Sequence, residues 1–404
     1  MTTPPATALQ SDAEAQAQGG WSAVFALTLC VATLIASEFM PVSLLTPIAA
    51  DLRLSEGMAG QAISISGLFA VITSLAIGRL ARIDRRVLLL GLTALMGVSG
   101  LLVALAPNAP LFMAGRALIG VVIGGFWSLS AATVMRLVPG KDVPRALAVL
   151  NGGNALATMI AAPLGSYLGQ FIGWRGAFFL VVPLALATFV WQWLSVPTMR
   201  VPTGASSSVL GVLKRPRAKA GLLGMALLFA GQFSLFTYLR PFLEQVVHLN
   251  ASALSFVLLA MGVVGLAGTA LIGRVIGKGL RRVLIAAPLL MAATVLALLV
   301  AGASPPAIAI LLMAWGLVAT ALPVAWWTWL ARTLPDDTDA GGGLMVAVIQ
   351  MAITLGAAGG GLLFDAGGHR ATFSASAALL VAAAIAGAFS APGSPQMQRD
   401  VHAT

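Results

Sequence analysis

Residues 78–88 read Gly-Arg-Leu-Ala-Arg-Ile-Asp-Arg-Arg-Val-Leu, and residues 273–284 read Gly-Arg-Val-Ile-Gly-Lys-Gly-Leu-Arg-Arg-Val-Leu. Each is a short basic stretch between two long apolar runs, and they lie 195 or 196 residues apart. Two further pairs keep that offset. Arg136-x-x-Pro139 matches Arg332-x-x-Pro335, and Gly173-Trp174-Arg175 ahead of Phe178 matches Gly368-His369-Arg370 ahead of Phe373. Three matches, in order and at one offset, mark an internal duplication.

On either side of these stretches the apolar runs lie at 22–50, 57–78, 87–106, 111–138, 146–170 and 177–195, then at 220–243, 252–275, 283–301, 307–330, 343–364 and 371–390. A helix crosses a bilayer with about 20 apolar residues. The expectation is an all-α membrane protein with twelve transmembrane helices in two six-helix halves, 22–195 and 220–390. A basic, Pro- and Ser-bearing linker spans 196–219, and polar tails cover 1–21 and 391–404. Repeats with an even number of spans share one orientation, so the halves should be related by an axis along the membrane normal.

Composition agrees. Only 9% of the 404 residues are charged and 59% are hydrophobic, whereas soluble domains carry about 25% charge. The 44 glycines suit close helix packing in lipid. The net charge of +10 does not point to nucleic acid, because the basic residues sit between apolar spans without a basic stripe or interleaved aromatics. With the N-terminus inside, 18 of the 23 Lys and Arg residues fall in cytoplasmic segments and three (Arg53, Arg175, Arg370) outside. That asymmetry puts both termini in the cytoplasm. Residues 1–20 hold Asp12 and Glu14 but no Lys or Arg, so the first span should stay as a helix rather than leave as a signal peptide. Cys30, the lone cysteine, allows no internal disulfide.

The layout and its loops resemble the major facilitator superfamily, in particular its drug:proton antiporter branch. The family's signature between helices 2 and 3 is matched at Gly78, Arg85 and Arg86, with Arg82 standing where an Asp is expected; the second copy runs from Gly273 through Lys278 to Arg281 and Arg282. The resemblance gives these loops a conformational role. Their charges as topogenic signals alone explain the same residues. Ala162-Pro163 with Gly165, Gly169 and Gly173 is similar to the branch's antiporter motif, and packing explains these equally. Glu38-Phe-Met-Pro-Val-Ser-Leu-Leu-Thr-Pro47, Gly124-Gly-Phe-Trp-Ser128, Met135-Arg-Leu-Val-Pro139, Ala162-Pro-Leu-Gly-Ser166, Gly231-Gln-Phe233, Tyr238-Leu-Arg-Pro241 and Val346-Ala-Val-Ile-Gln350 resemble the bacterial purine ribonucleoside efflux pumps. The resemblance implies proton-driven export of inosine- or guanosine-like molecules by alternating access, in the bacterial cytoplasmic (inner) membrane. It implies a functional monomer and no cofactor, the proton gradient supplying the energy.

Glu38 is the only acidic residue deep within a span, about 24 Å along its helix. A carboxylate there costs several kcal/mol unless neutralised or paired, and such groups usually mark ion pathways. It is the candidate proton-coupling residue; a structural carboxyl is the other reading. Arg116, followed by Gly120 and Gly124, resembles the family's helix-4 motif. It is a candidate partner that releases Glu38 on protonation, or an anchor for the carbonyls of a neighbouring helix.

A nucleoside needs a flat apolar surface for its base and amides or hydroxyls for its edge and ribose. The resemblance places the cavity along spans 1, 4, 7 and 10. Trp127, Ser128, Gln232, Phe236, Tyr238, Trp326 and Trp327 meet the need there, with Asn154 and Gln350 on spans 5 and 11. The amides rank before the indoles, since tryptophans also collect at membrane interfaces. Arg240 and Glu244 read as a snorkelling i, i+4 pair. No GxxxxGK[ST], HExxH or GxSxG occurs, and no cysteine or histidine spacing suggests a metal, so neither ATP hydrolysis nor an enzyme is indicated. Rival readings are an exporter of another small solute, such as a sugar or amphiphilic drug, and a non-transporting membrane receptor or scaffold.

Overall fold

The computed structural model describes residues 6–80, 83–139, 142–199, 216–302, 304–333 and 338–390. The linker residues 200–215, Arg82, Pro335 and the tail beyond 390 lie outside the described residues. Helix dominates the described residues, and no strand occurs among them. The helices are α1 (Ala6–Ser43), α2 (Leu45–Leu52), α3 (Glu56–Ala76), α4 (Arg85–Ala104), α5 (Ala109–Leu137), α6 (Val143–Phe179) and α7 (Val181–Ser195). There follow α8 (Pro216–Phe236), α9 (Leu239–Gln245), α10 (Ala251–Gly277), α11 (Leu280–Val300), α12 (Pro305–Ala319), α13 (Leu322–Thr333) and α14 (Thr338–Ser390). Among the described residues, ten helical stretches are long and apolar enough to cross a membrane, and Val181–Ser195 is a shorter apolar helix. A helix satisfies its backbone polar groups within its own segment, as crossing lipid requires, and long apolar stretches suit it.

The element boundaries refine the expected spans. α1 begins at Ala6, well ahead of the apolar stretch Gly20–Ser43, so part of the expected tail is helical. Two stretches run on through a turn. Gly173 breaks α6 at φ 68° and ψ 171°, and Gly368 breaks α14 at φ 64° and ψ −161°. Both angles lie where only glycine sits without strain. Asn108 caps α5 by accepting from Leu111 N at 3.1 Å, and Asn250 caps α10 by accepting from Ala253 N at 2.8 Å.

The chain forms two compact units. The first holds residues 1–53 and 65–204; in it α1 packs on α6 and α7, and α4 lies against α5 and α7. The second holds residues 54–64 and 205–404, with α14 packed along α8, α11 against α14, and α10 against α12. The duplication is visible in the backbone. Arg53 and His248 are the two non-glycine residues with positive φ among the described residues, at 56° and 58°, and they too are 195 positions apart. Two positions on from each, Ser55 and Asn250 cap the next helix in the same register, accepting from Met58 N and Ala253 N.

Candidate functional site

Within the first unit the chemistry centres on α1. Pro41 lies inside this helix and has no N–H to offer the carbonyl one turn back, which belongs to Ser37. Arg116, wholly buried on α5, supplies the missing donor. Its Nη1 donates to Ser37 O at 2.8 Å, while its Nη2 donates to Glu38 O at 3.2 Å and to Ser66 Oγ at 3.3 Å. The helix ends soon after, and the chain re-forms as α2 beyond Leu44. Glu38 is 5% exposed and within electrostatic reach of Arg116. Arg116 thus holds two carbonyls of α1 while lying within electrostatic reach of the Glu38 carboxyl. Gly120 and Gly124 make the approach possible: a Cβ on either would collide with the carbonyl oxygen of Ser66 or Ala70 on α3.

Nearby in this unit, Trp127 is half-buried with its ring edge-on to Phe126 at 6.4 Å. Ser128 is exposed and spends its hydroxyl on Gly124 O at 2.7 Å. Asn154 is half-buried, its carbonyl accepting from Thr158. A buried cluster that sequence reading missed links Thr93 to Gln192 Oε1 at 3.0 Å and to Cys30 Sγ at 3.6 Å.

In the second unit, Gln232 and Phe236 sit one turn apart on α8. Phe236 stacks on Trp315 of α12, with centroids 6.0 Å apart and planes 12° from parallel. Gln232 Oε1, Gln350 Oε1, Trp326 Nε1 and Trp315 Nε1 are all buried and unpartnered. Buried polar atoms are nearly always satisfied, so each such group calls for an explanation. Trp315 was missed by the sequence reading; its pairing with Phe236 depends on how α8 and α12 pack. Trp326 packs edge-on against Trp329 at 5.5 Å, and Trp329 donates to Ser390 O. Trp327 points away and is 47% exposed. Tyr238 has no free hydroxyl: it donates to Ala357 O at 2.9 Å, with Gly57 O at 3.4 Å. A groove of about 430 Å³ between α8 and α14, lined by Leu227, Ala230, Met351 and Leu355, is almost wholly apolar and unsuited to a nucleoside. Arg240 and Glu244 form the expected i, i+4 pair at 2.7 Å.

The loop motifs divide. Arg85 N donates to Met199 O, and Arg86 Nη2 donates to Trp193 O, tying α4 to the end of α7. Arg85 Nε and Nη1 are buried without partners. In the second copy Gly273, Lys278, Arg281 and Arg282 are exposed, and a Cβ on Gly273, like one on Gly277, would meet nothing within 4 Å. Gly78 lies in a short 3-10 turn after α3.

The profile of the Major Facilitator Superfamily matches residues 25–336. A Pseudomonas aeruginosa protein named transcription regulatory protein OpdE is 57% identical over 372 residues, covering 91% of this chain and 92% of its own. The purine ribonucleoside efflux pump NepI of Salmonella paratyphi B is 39% identical over 375 residues, covering 92% and 94%. Among solved structures, a bacterial homolog to the human lysosomal transporter Spinster, in an inward-facing and unoccupied conformation, superposes with a TM-score of 0.72 at 16% identity. It covers 92% of this chain and 96% of that one, and the likeness is one of fold. A helical chain with ten membrane-length apolar stretches, an internal duplication and a matching profile over most of its length belongs to the Major Facilitator Superfamily.

Proposed function

We propose that this chain exports purine ribonucleosides such as inosine or guanosine across the bacterial cytoplasmic membrane, in exchange for protons, by alternating access. The observation that carries the substrate class is the 39% identity to a purine ribonucleoside efflux pump over 92% of the chain. The buried unpartnered atoms of Gln232, Gln350, Trp315 and Trp326 support it, since a base edge offers both donors and acceptors. Twelve crossings follow from reading Gly173 and Gly368 as reversals within two over-long stretches, and the basic loops then face the cytoplasm. A 47-residue helical stretch at about 1.5 Å per residue is more than twice a bilayer's core. Glu38 takes the proton: it is buried on α1, and arrival of a proton removes its attraction to Arg116.

The name of the 57% identical relative favours a second reading, a membrane protein that influences transcription without moving a solute. One experiment separates the two. Purified protein in liposomes is given labelled inosine or guanosine and an imposed pH gradient. Uptake that follows the gradient supports export; no uptake of either nucleoside sinks the substrate class. Uptake indifferent to the gradient sinks the coupling.

A further inference from the structure

Residues 54–64 belong to the second unit, while the rest of α3, from residue 65, belongs to the first. One helix is thus shared, and the contacts of its opening turns have an unusual composition. Asp365 of α14 accepts from Ser55 Oγ at 2.6 Å and from Gly57 N at 3.0 Å. Ser55 Oγ in turn accepts from Met58 N at 3.0 Å. A helix start leaves its first N–H groups unsatisfied and carries partial positive charge, so a carboxylate there is held by both hydrogen bonds and charge. Beside it, Gln61 Nε2 donates to Ala358 O at 3.3 Å, and the Tyr238 hydroxyl is wedged between the two backbones. Glycines let the two backbones approach closely at this point. A Cβ on Gly57 would strike Asp365, and one on Gly60 or Gly361 would strike the Tyr238 hydroxyl.

We propose that Asp365 is a gating residue: its carboxylate latches the first turns of α3 onto α14, and the transport cycle opens by breaking this seam. The proposal rests on the alternating-access reading above. The seam suits reversible opening because it is made of hydrogen bonds and bare backbone rather than interlocked apolar side chains. Asp365 is exposed even while bonded, so water can replace its partners as the turns part. Contacts of α3 beyond residue 64 are of another kind: Ser66 and Ala70 lie against Gly120 and Gly124 at backbone distance, around the buried Arg116. Of the two attachments of this helix, the polar and exposed one is the one that yields.

The test reads distance rather than transport. Spin labels go on cysteines replacing Met58 and Leu362, which are 54% and 72% exposed, in a Cys30→Ser background. A predominant short-distance population is expected with Asp365 intact. Asp365→Ala should add a longer-distance population, and Asp365→Asn, which keeps one acceptor, a smaller one. Gly60→Ala should add the longer population by a different route, wedging Tyr238. Ser55→Ala serves if Asp365→Ala does not fold. An unchanged distribution in Asp365→Ala overturns the latch, as does opening in Gly60→Ala alone. Should the seam open on cue in a protein that moves no nucleoside, the substrate class fails and the latch stands.

Discussion

Arg116 gives Ser37 the hydrogen bond that Pro41 cannot: its Nη1 donates to Ser37 O at 2.8 Å, four residues before the proline. A proline inside a helix costs about 3 kcal/mol, partly through that lost bond. Here a buried guanidinium from another helix repairs the break one residue from Glu38 and also holds the Glu38 carbonyl. The proline, the arginine and the carboxylate are therefore one construction.

Removing the arginine should unmask the break. Arg116→Ala strands the buried carbonyl of Ser37, at roughly 1–3 kcal/mol for an unsatisfied group, and should lower the unfolding midpoint in detergent. Pro41→Ala restores an N–H at position 41, so the Arg116→Ala penalty should shrink in that background. Equal penalties in both backgrounds would show that the two residues do not act together.

Glu38→Gln should leave the fold in place, because Arg116 holds the backbone of residue 38 and not only its side chain. Under the export reading, nucleoside flux in this variant should no longer respond to an imposed pH gradient, while exchange of labelled for unlabelled nucleoside persists. A gradient response as in the parent protein would move the proton site elsewhere.

The sequence carried the duplication, the helical class and the isolated carboxylate, because glycines, prolines and buried charges declare themselves one residue at a time. Gly173 and Gly368 were readable as a repeat because both turns need the same residue. Arg53 and His248 were not, since the same left-handed turn is filled by unrelated side chains whose φ a string of letters does not show. Tyr238 illustrates the other limit. It fits the composition of a nucleoside site, yet its hydroxyl is committed to backbone carbonyls, a fact set by packing with Gly57 and Ala357. Trp315 was overlooked for the same reason, as only α8 brings Phe236 to its face.

The unpartnered amides yield a ligand test. Gln350 Oε1 and Gln232 Oε1 make no hydrogen bond that truncation would lose, so Gln350→Leu and Gln232→Leu should change the unfolding midpoint little. A ligand stabilises by RT ln(1 + [L]/Kd), about 2.7 kcal/mol at a hundredfold excess over Kd. Inosine should raise the midpoint of the parent protein and fail to do so in these variants. An undiminished shift in both would remove the amides from the site.

The pair formed by Asp51 and Arg175 sets a pH dependence. Hydrogen bonding from Arg175, then from Trp174, holds the Asp51 carboxyl below its ordinary value of 3.8. A lowered carboxylate contributes stability above its unfolded value and loses it as pH falls through the folded one. Arg175→Gln should thus differ from the parent by no more than about 1 kcal/mol near neutral pH, the pair being partly exposed. The difference arising from this pair should vanish as pH falls through that lowered value. A difference that grows on acidification would contradict the assignment.

Glycines that look alike in sequence should respond oppositely to alanine. At Gly120 and Gly124 a Cβ meets the carbonyl oxygens of Ser66 and Ala70, backbone atoms that cannot turn aside. Forcing α3 and α5 apart there should cost about 1–3 kcal/mol and strain the Arg116 bond to Ser66. At Gly152, within α6, a Cβ meets nothing within 4 Å, so alanine should be neutral or stabilise by up to about 1 kcal/mol through helix propensity. Unfolding midpoints of Gly120→Ala, Gly124→Ala and Gly152→Ala, measured side by side, decide it. If all three fall together, general helix flexibility and not the close approach to α3 is what these glycines provide.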